Sequence, residues 1–157
     1  METRIEYAKV SPAAVQALYH VETYLAKSGL SKSLVHLIKL RASQINGCAF
    51  CIDMHWKDAR ADGETEQRLY GLDAWRESPY YEPHERAALA WTESLTRITE
   101  GHAPDSVYAE LRAHFDDKQT VDLSVAIGMI NLWNRLALAM RVPVGVYQPR
   151  KARAEAG

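Results

Sequence analysis

Breakers divide this chain at helix-length intervals, and between them apolar residues recur at helical spacing. No stretch alternates apolar and polar residues as a half-buried strand would. The pattern predicts an all-α fold of six or seven helices. Its 157 residues suit one domain. Ser11-Pro12 is an N-cap followed by proline at the first helical position, and predicts a helix to about Ser28, stopped by Gly29. Ser31 caps a second helix that ends near Asn46-Gly47, with Leu34, Leu37, Ile38 and Ile45 on its apolar stripe. A third runs from about Cys48 to Gly63, and a short one from Glu64 to Leu72. A connection over residues 73–83, with Pro79 and Pro83, leads to a long helix from about His84 to Glu100. That helix carries Ala87, Ala88, Trp91, Leu95 and Ile98 at helical spacing, and Gly101 ends it. Another covers Asp105 to Phe115. Asp116 with Gln119 opens the last helix in a capping-box pattern, and it runs to about Met140 before Pro143. From Val144 to Gly157 there is no periodicity, which predicts a peripheral arm. The expected domain is 1–150, with a tail at 151–157.

Charge and cysteine content narrow the function. Nineteen basic against 20 acidic residues give a net charge of −1, so the basic surplus of a nucleic-acid binder is missing. The first residues, Met1 to Glu6, lack the apolar stretch of a signal peptide. The longest apolar-rich region, Val121 to Met140, is interrupted by Asp122, Asn131, Asn134 and Arg135. These features predict a cytoplasmic protein with no membrane partner. The two cysteines, Cys48 and Cys51, rule out a multi-disulfide framework. In the cytoplasm such a neighbouring pair is more often redox-active or metal-binding than structural.

On a helix, with Cys48 at zero, Cys51 falls at ~300° and His55 at ~340°, so the three share one face. Cys51 and His55 form an i,i+4 pair whose side chains can touch. The two thiols lie one turn apart, within reach of a disulfide if the helix start adjusts. A free thiol is mostly protonated at neutral pH, and both a helix N-terminus and an imidazole favour the thiolate. The helix dipole acts most on Cys48, the imidazole most on Cys51, so the two effects point to different nucleophiles. We favour Cys51, because a base one turn away can take its proton and return it to a leaving group. Cys48 would then resolve a sulfenic acid by condensation. A zinc site is the rival: Cys48, Cys51 and His55, with His36 from the preceding helix, could supply four ligands. Three ligands along one helix is an unusual arrangement for structural zinc, however.

The stretch from Leu34 through Cys48-Ala49-Phe50-Cys51-Ile52-Asp53-Met54-His55 to Arg60 resembles the AhpD-like alkylhydroperoxidases of the carboxymuconolactone decarboxylase superfamily. The likeness resumes at Glu85 to Glu93, at Val121-Asp122-Leu123 and at Ile130 to Leu136, and covers roughly residues 5–150. It implies an all-α, AhpD-like helical bundle assembled as a trimer or hexamer, with sites near subunit contacts. Members that act as decarboxylases lack the cysteine pair. The resemblance therefore implies a thiol-dependent peroxidase in antioxidant defence, with Cys51 attacking a hydroperoxide, Cys48 resolving and His55 relaying a proton. It implies a dithiol reductant, such as a lipoyl-bearing protein, and no bound cofactor. The family's relay also uses a glutamate twelve residues before the first cysteine; here that position is His36, which can still relay a proton. A general dithiol–disulfide oxidoreductase and a non-catalytic zinc-binding or redox-sensing oligomer are the alternatives.

Other residues are expected to be structural. Asp53 reads as a helix-surface charge. Asn131, Asn134 and Arg135 are polar groups in an apolar helix and need hydrogen-bond partners across helices or subunits. Trp56, Trp75, Trp91 and Trp133 read as core or interface residues. Tyr80 and Tyr81 are placed at the edge of a substrate channel.

Overall fold

The computed structural model describes residues 2–149. The all-α expectation holds: eight α-helices and no strands are found among the described residues. They are α1 (Tyr7–Val10), α2 (Pro12–Leu25), α3 (Lys32–Asn46), α4 (Ala49–Ala61), α5 (Glu66–Tyr70), α6 (Pro83–Thr96), α7 (Asp105–Arg112) and α8 (Asp117–Met140). A 3₁₀ turn, Gly71–Ala74, follows α5. The single-turn α1, too short to leave a periodic signal, is the helix beyond the expected count. Helix α6 ends at Thr96 rather than near Glu100. The next four residues are exposed, so no packing holds a further turn, and Ile98 lies outside the core. The predicted tail at 151–157 lies outside the described residues.

Helix α3 is the axis of the fold and packs against α4, α6 and α8. Its Leu34 and Ile38 join a core with Ala88, Leu111, Leu123 and Ile127. Leu37 and Leu40 join a second with Leu69, Leu72, Trp75 and Leu89, and Ala42 a third with both cysteines and Ile130. A helix apolar on so many sides belongs inside a fold, not on its surface. Ser31 Oγ caps its start by accepting from the Leu34 amide at 3.2 Å, and Gly47 ends it in the left-handed region at φ 66°. By length and composition α8 could cross a membrane. Its buried Asp122, Asn131 and Asn134 are instead paired within the fold.

Those pairs fix the helix ends around the cysteines. Asn46, the last residue of α3, donates through Nδ2 to Asn131 Oδ1 at 2.9 Å and Asn134 Oδ1 at 2.8 Å. Asn134 Nδ2 donates to Ser43 Oγ at 3.0 Å. The asparagines thus make the helix–helix bonds expected of them, and they tie the α3–α4 corner to α8. A second buried polar centre is Glu93. It accepts from Trp75 Nε1 at 2.8 Å, Arg41 Nε at 2.8 Å and Arg76 Nη1 at 2.5 Å. Burial alone would raise its pKa. The hydrogen bonds from Trp75, Arg76 and Arg41, with the Arg41 charge, outweigh this and hold the carboxyl below its usual range. Glu93→Gln keeps the shape and removes the charge, and is expected to cost about 2 kcal/mol of stability by urea denaturation.

Candidate active site

The turn from α3 into α4 places the cysteine pair. Left-handed Gly47 reverses the chain, and Cys48 becomes the N-cap of α4, its Sγ accepting from the Cys51 amide at 3.3 Å. Cys48 is therefore the cap and not the first helical residue. Cys48 and Cys51 are joined in a disulfide, with Cα atoms 5.3 Å apart. Both are buried, yet only Cys51 lines the adjoining cavity of about 410 Å³. The Cys48 sulfur sits behind it, under the helix start.

His55, one turn beyond Cys51, also lines this cavity. It is buried, and its Nε2 has no hydrogen-bond partner among the described residues. Burial first, then the charges of Lys39 and His36, lower its pKa from the ordinary 6.5 to about 3. The ring is therefore neutral at physiological pH. Cys51 and His55 thus share one wall, as the helical spacing predicted.

His36 is placed differently from its expected role. Its Nε2 lies 2.9 Å from Asp62 Oδ2, just past the end of α4, and it lines a separate, smaller cavity with Ser33 and Glu64. It is not among the residues lining the Cys51 cavity. The cause is local: Asp62 presents a carboxylate that takes up the ring. His36 acts on His55 through charge alone. Among the described residues no group of three or more His, Cys, Asp or Glu side chains is set to hold a metal ion.

The structure adds residues that the sequence did not single out. Lys39, one turn beyond His36, is buried, and its Nζ lies 2.6 Å from Glu22 Oε2 on α2. Glu22 Oε1 accepts from Trp133 Nε1 on α8 at 3.0 Å. All three residues line the Cys51 cavity. The rest of its wall is largely aromatic: Tyr7, Tyr19, Phe50 and Tyr147. A lysine between Ile38 and Leu40 was the available signal; its partner, 17 residues earlier on another helix, left none. Tyr147 corrects the expectation of a peripheral arm. Its hydroxyl donates to Asp58 Oδ1 at 2.7 Å and its carbonyl accepts from Lys57 Nζ at 3.1 Å, which folds the segment over α4. Lys57 also pairs with Asp53 at 2.9 Å, so Asp53 serves the helix surface as expected. Tyr80 and Tyr81 pack instead in the second core, where Tyr81 Oη donates to the Arg68 carbonyl at 2.5 Å.

Comparison with known proteins agrees with this architecture. The model of the carboxymuconolactone decarboxylase family matches residues 11–94. The uncharacterized protein YdfG of Bacillus subtilis (strain 168) is 46% identical over 140 residues, which are 89% of this chain and 95% of that protein. YnjA of Escherichia coli (strain K12), also uncharacterized, is 33% identical over 118 residues, covering 74% of this chain and 64% of its own length. Among solved structures, ATU0492 of Agrobacterium tumefaciens superposes with a TM-score of 0.89 at 51% identity, over 93% of this chain and all (100%) of that one. It is described as a protein of unknown function to which an AhpD antioxidant-defence role has been ascribed. The debrominase Bmp8 shares the fold at 18% identity, with a TM-score of 0.80 over 88% of this chain and 74% of its own.

Proposed function

Because the chain belongs to the carboxymuconolactone decarboxylase family, as an AhpD-like member, we propose that it is a dithiol peroxidase acting on organic hydroperoxides. The observation that carries this reading is the asymmetry of the pair: Cys51 borders the cavity, while Cys48 lies behind it at bonding distance. The roles follow from position. In the reduced protein the Cys51 thiolate attacks the outer oxygen of R–O–O–H. The S–O bond forms, the O–O bond breaks, and the alkoxide takes up a proton and leaves as the alcohol. His55, neutral and with a free ring nitrogen, passes the Cys51 proton to that oxygen. Cys48 then attacks the sulfenic sulfur, water leaves, and the disulfide closes. A dithiol outside the chain, such as a lipoyl group, returns both thiols and is itself oxidised to a disulfide. His36 contributes in this reading through its charge and not by contact.

The aromatic walls favour a hydroperoxide with an apolar body. Cumene hydroperoxide is expected to be consumed at least about tenfold faster than hydrogen peroxide, since a buried apolar body adds more than ~1.4 kcal/mol of binding. The check is consumption of each under excess dihydrolipoamide. A protein inert to both peroxides that reduces disulfides would instead be a general dithiol–disulfide oxidoreductase. We propose that the protein carries out this activity in the cytoplasm as a homo-oligomer, a trimer or hexamer.

A further inference from the structure

Among the described residues, Lys39 and Glu22 are the only lysine, arginine, aspartate or glutamate side chains that line the Cys51 cavity. Such a pair needs explaining. Taking two charges out of water costs more than their attraction usually returns, and apolar residues of similar size would hold α2 to α3 as well. The Lys39 side chain is only 11% exposed, and its stem is embedded in the most buried helix of the fold.

The orientation of the pair suggests its use. Glu22 is tied from both sides, by Lys39 at 2.6 Å and by Trp133 at 3.0 Å. Burial is the first cause of the low His55 pKa and would by itself push a neighbouring thiol up; the Lys39 charge comes second, and a positive charge that opposes an imidazolium favours a thiolate. Lys39 lines the same cavity as Cys51, which places a cation on the wall where that cost of burial has to be offset. The need is also clear. A histidine so reluctant to hold a proton is a weak resting base, and the carboxylate expected at position 36 is a histidine turned toward Asp62.

We propose that Lys39 is the cation that activates Cys51 as a thiolate, and that Glu22 is the residue that positions it. The assignment rests on Cys51 being the attacking thiol. It alters no step of the reaction, only where the proton equilibrium of Cys51 lies. The other titratable groups facing Cys51 are His55 from its own helix, Tyr19 with Glu22 from α2, Tyr7 from α1 and Tyr147 from the C-terminal segment. The tyrosines carry no charge at neutral pH, so Lys39 is the cation in that set.

The test reads the thiol directly and does not require peroxidase activity. Cys48→Ser serves as the parent, since serine keeps a helix cap and leaves Cys51 as the one thiol. The rate of iodoacetamide alkylation is followed from pH 5 to pH 10. The parent is expected to titrate below the ordinary thiol value of about 8.5. Adding Glu22→Gln and Lys39→Met together removes both charges and keeps an acceptor for Trp133. This is expected to slow alkylation at pH 7 about tenfold while the rates converge at high pH. Lys39→Arg, with Glu22 intact, is expected to stay within about twofold of the parent. A parent that titrates at or above the ordinary value overturns the proposal, whatever the variants do. So does a folded double variant whose profile superimposes on the parent's. Peroxide turnover is measured separately in the protein with both cysteines. If turnover is missing but the alkylation profile shifts as stated, the peroxidase reading fails and the Lys39 assignment stands.

Discussion

Cys51→Ser is expected to reduce cumene hydroperoxide consumption by at least about 10³-fold under excess dithiol, with no comparable loss of fold. The size follows from the chemistry. A serine hydroxyl has no accessible anion at neutral pH and does not form the S–O bond, and among the described residues no other group lining the cavity is a nucleophile of similar strength. The companion variant gives a different signature. Cys48→Ser keeps the attacking thiol and is expected to react once, then stall as a sulfenic acid that dimedone labels at Cys51. Normal turnover in Cys51→Ser, or dimedone labelling of Cys48 in that variant, would show that Cys48 is the attacking sulfur. Both cysteines are equally buried, and the lining of the cavity by Cys51 and not Cys48 argues for the order given.

The second large effect is on stability in acid, and His55 is its source. In the unfolded chain the ring titrates near 6.5, and in the folded protein near 3. Below 6.5 the unfolded state takes a proton that the folded state refuses. Stability from this group is therefore complete above about pH 6.5 and falls as pH drops toward 3. At pH 4 the loss is about 3 kcal/mol relative to pH 7. Carboxylates held low by their partners, Glu93 among them, lose stability in the same direction. The His55 share is isolated with His55→Gln, whose urea midpoint is expected to change less between pH 7 and pH 4 than that of the wild type. An equal change in both proteins would show that the ring is not buried neutral.

Much of this molecule can be read from local signals, and the limits have physical causes. Helix starts at Ser31 and Asp116 follow from capping chemistry, which depends only on neighbours in the chain, whereas Ser11 makes no side-chain cap bond and Pro12 at the first helical position marks that start. The common wall of Cys51 and His55 follows from helical rotation alone. What escaped was set by contacts distant in sequence. Lys39 looks like an error in an apolar run until Glu22 is placed beside it. Tyr147 follows a proline and a glycine in a stretch without periodicity, and partners some 90 residues earlier, Asp58 and Lys57, hold it. His36 fell at the expected position in the alignment of the motif, but an exposed carboxylate at Asp62 redirected its ring. Tyr80 and Tyr81, expected at the edge of a substrate channel, pack instead in the second core, against residues distant in sequence such as Leu37 and Leu40.

The walls of the Cys51 cavity come from unequal parts of the molecule. Cys51 and His55 stand on α4, braced against the central helix, whereas Tyr7 and Tyr147 come from opposite ends of the described chain and add little to any of the three cores. In the proposed reaction the attacking thiol and the aromatic residues proposed to meet the substrate's body thus sit on separate parts of the chain. Exchanges at Tyr7 or Tyr147 can redraw the list of accepted molecules while melting behaviour and thiol chemistry stay as they are. Divergence within such a lineage has an inexpensive route, in which the rim changes and the engine is left alone.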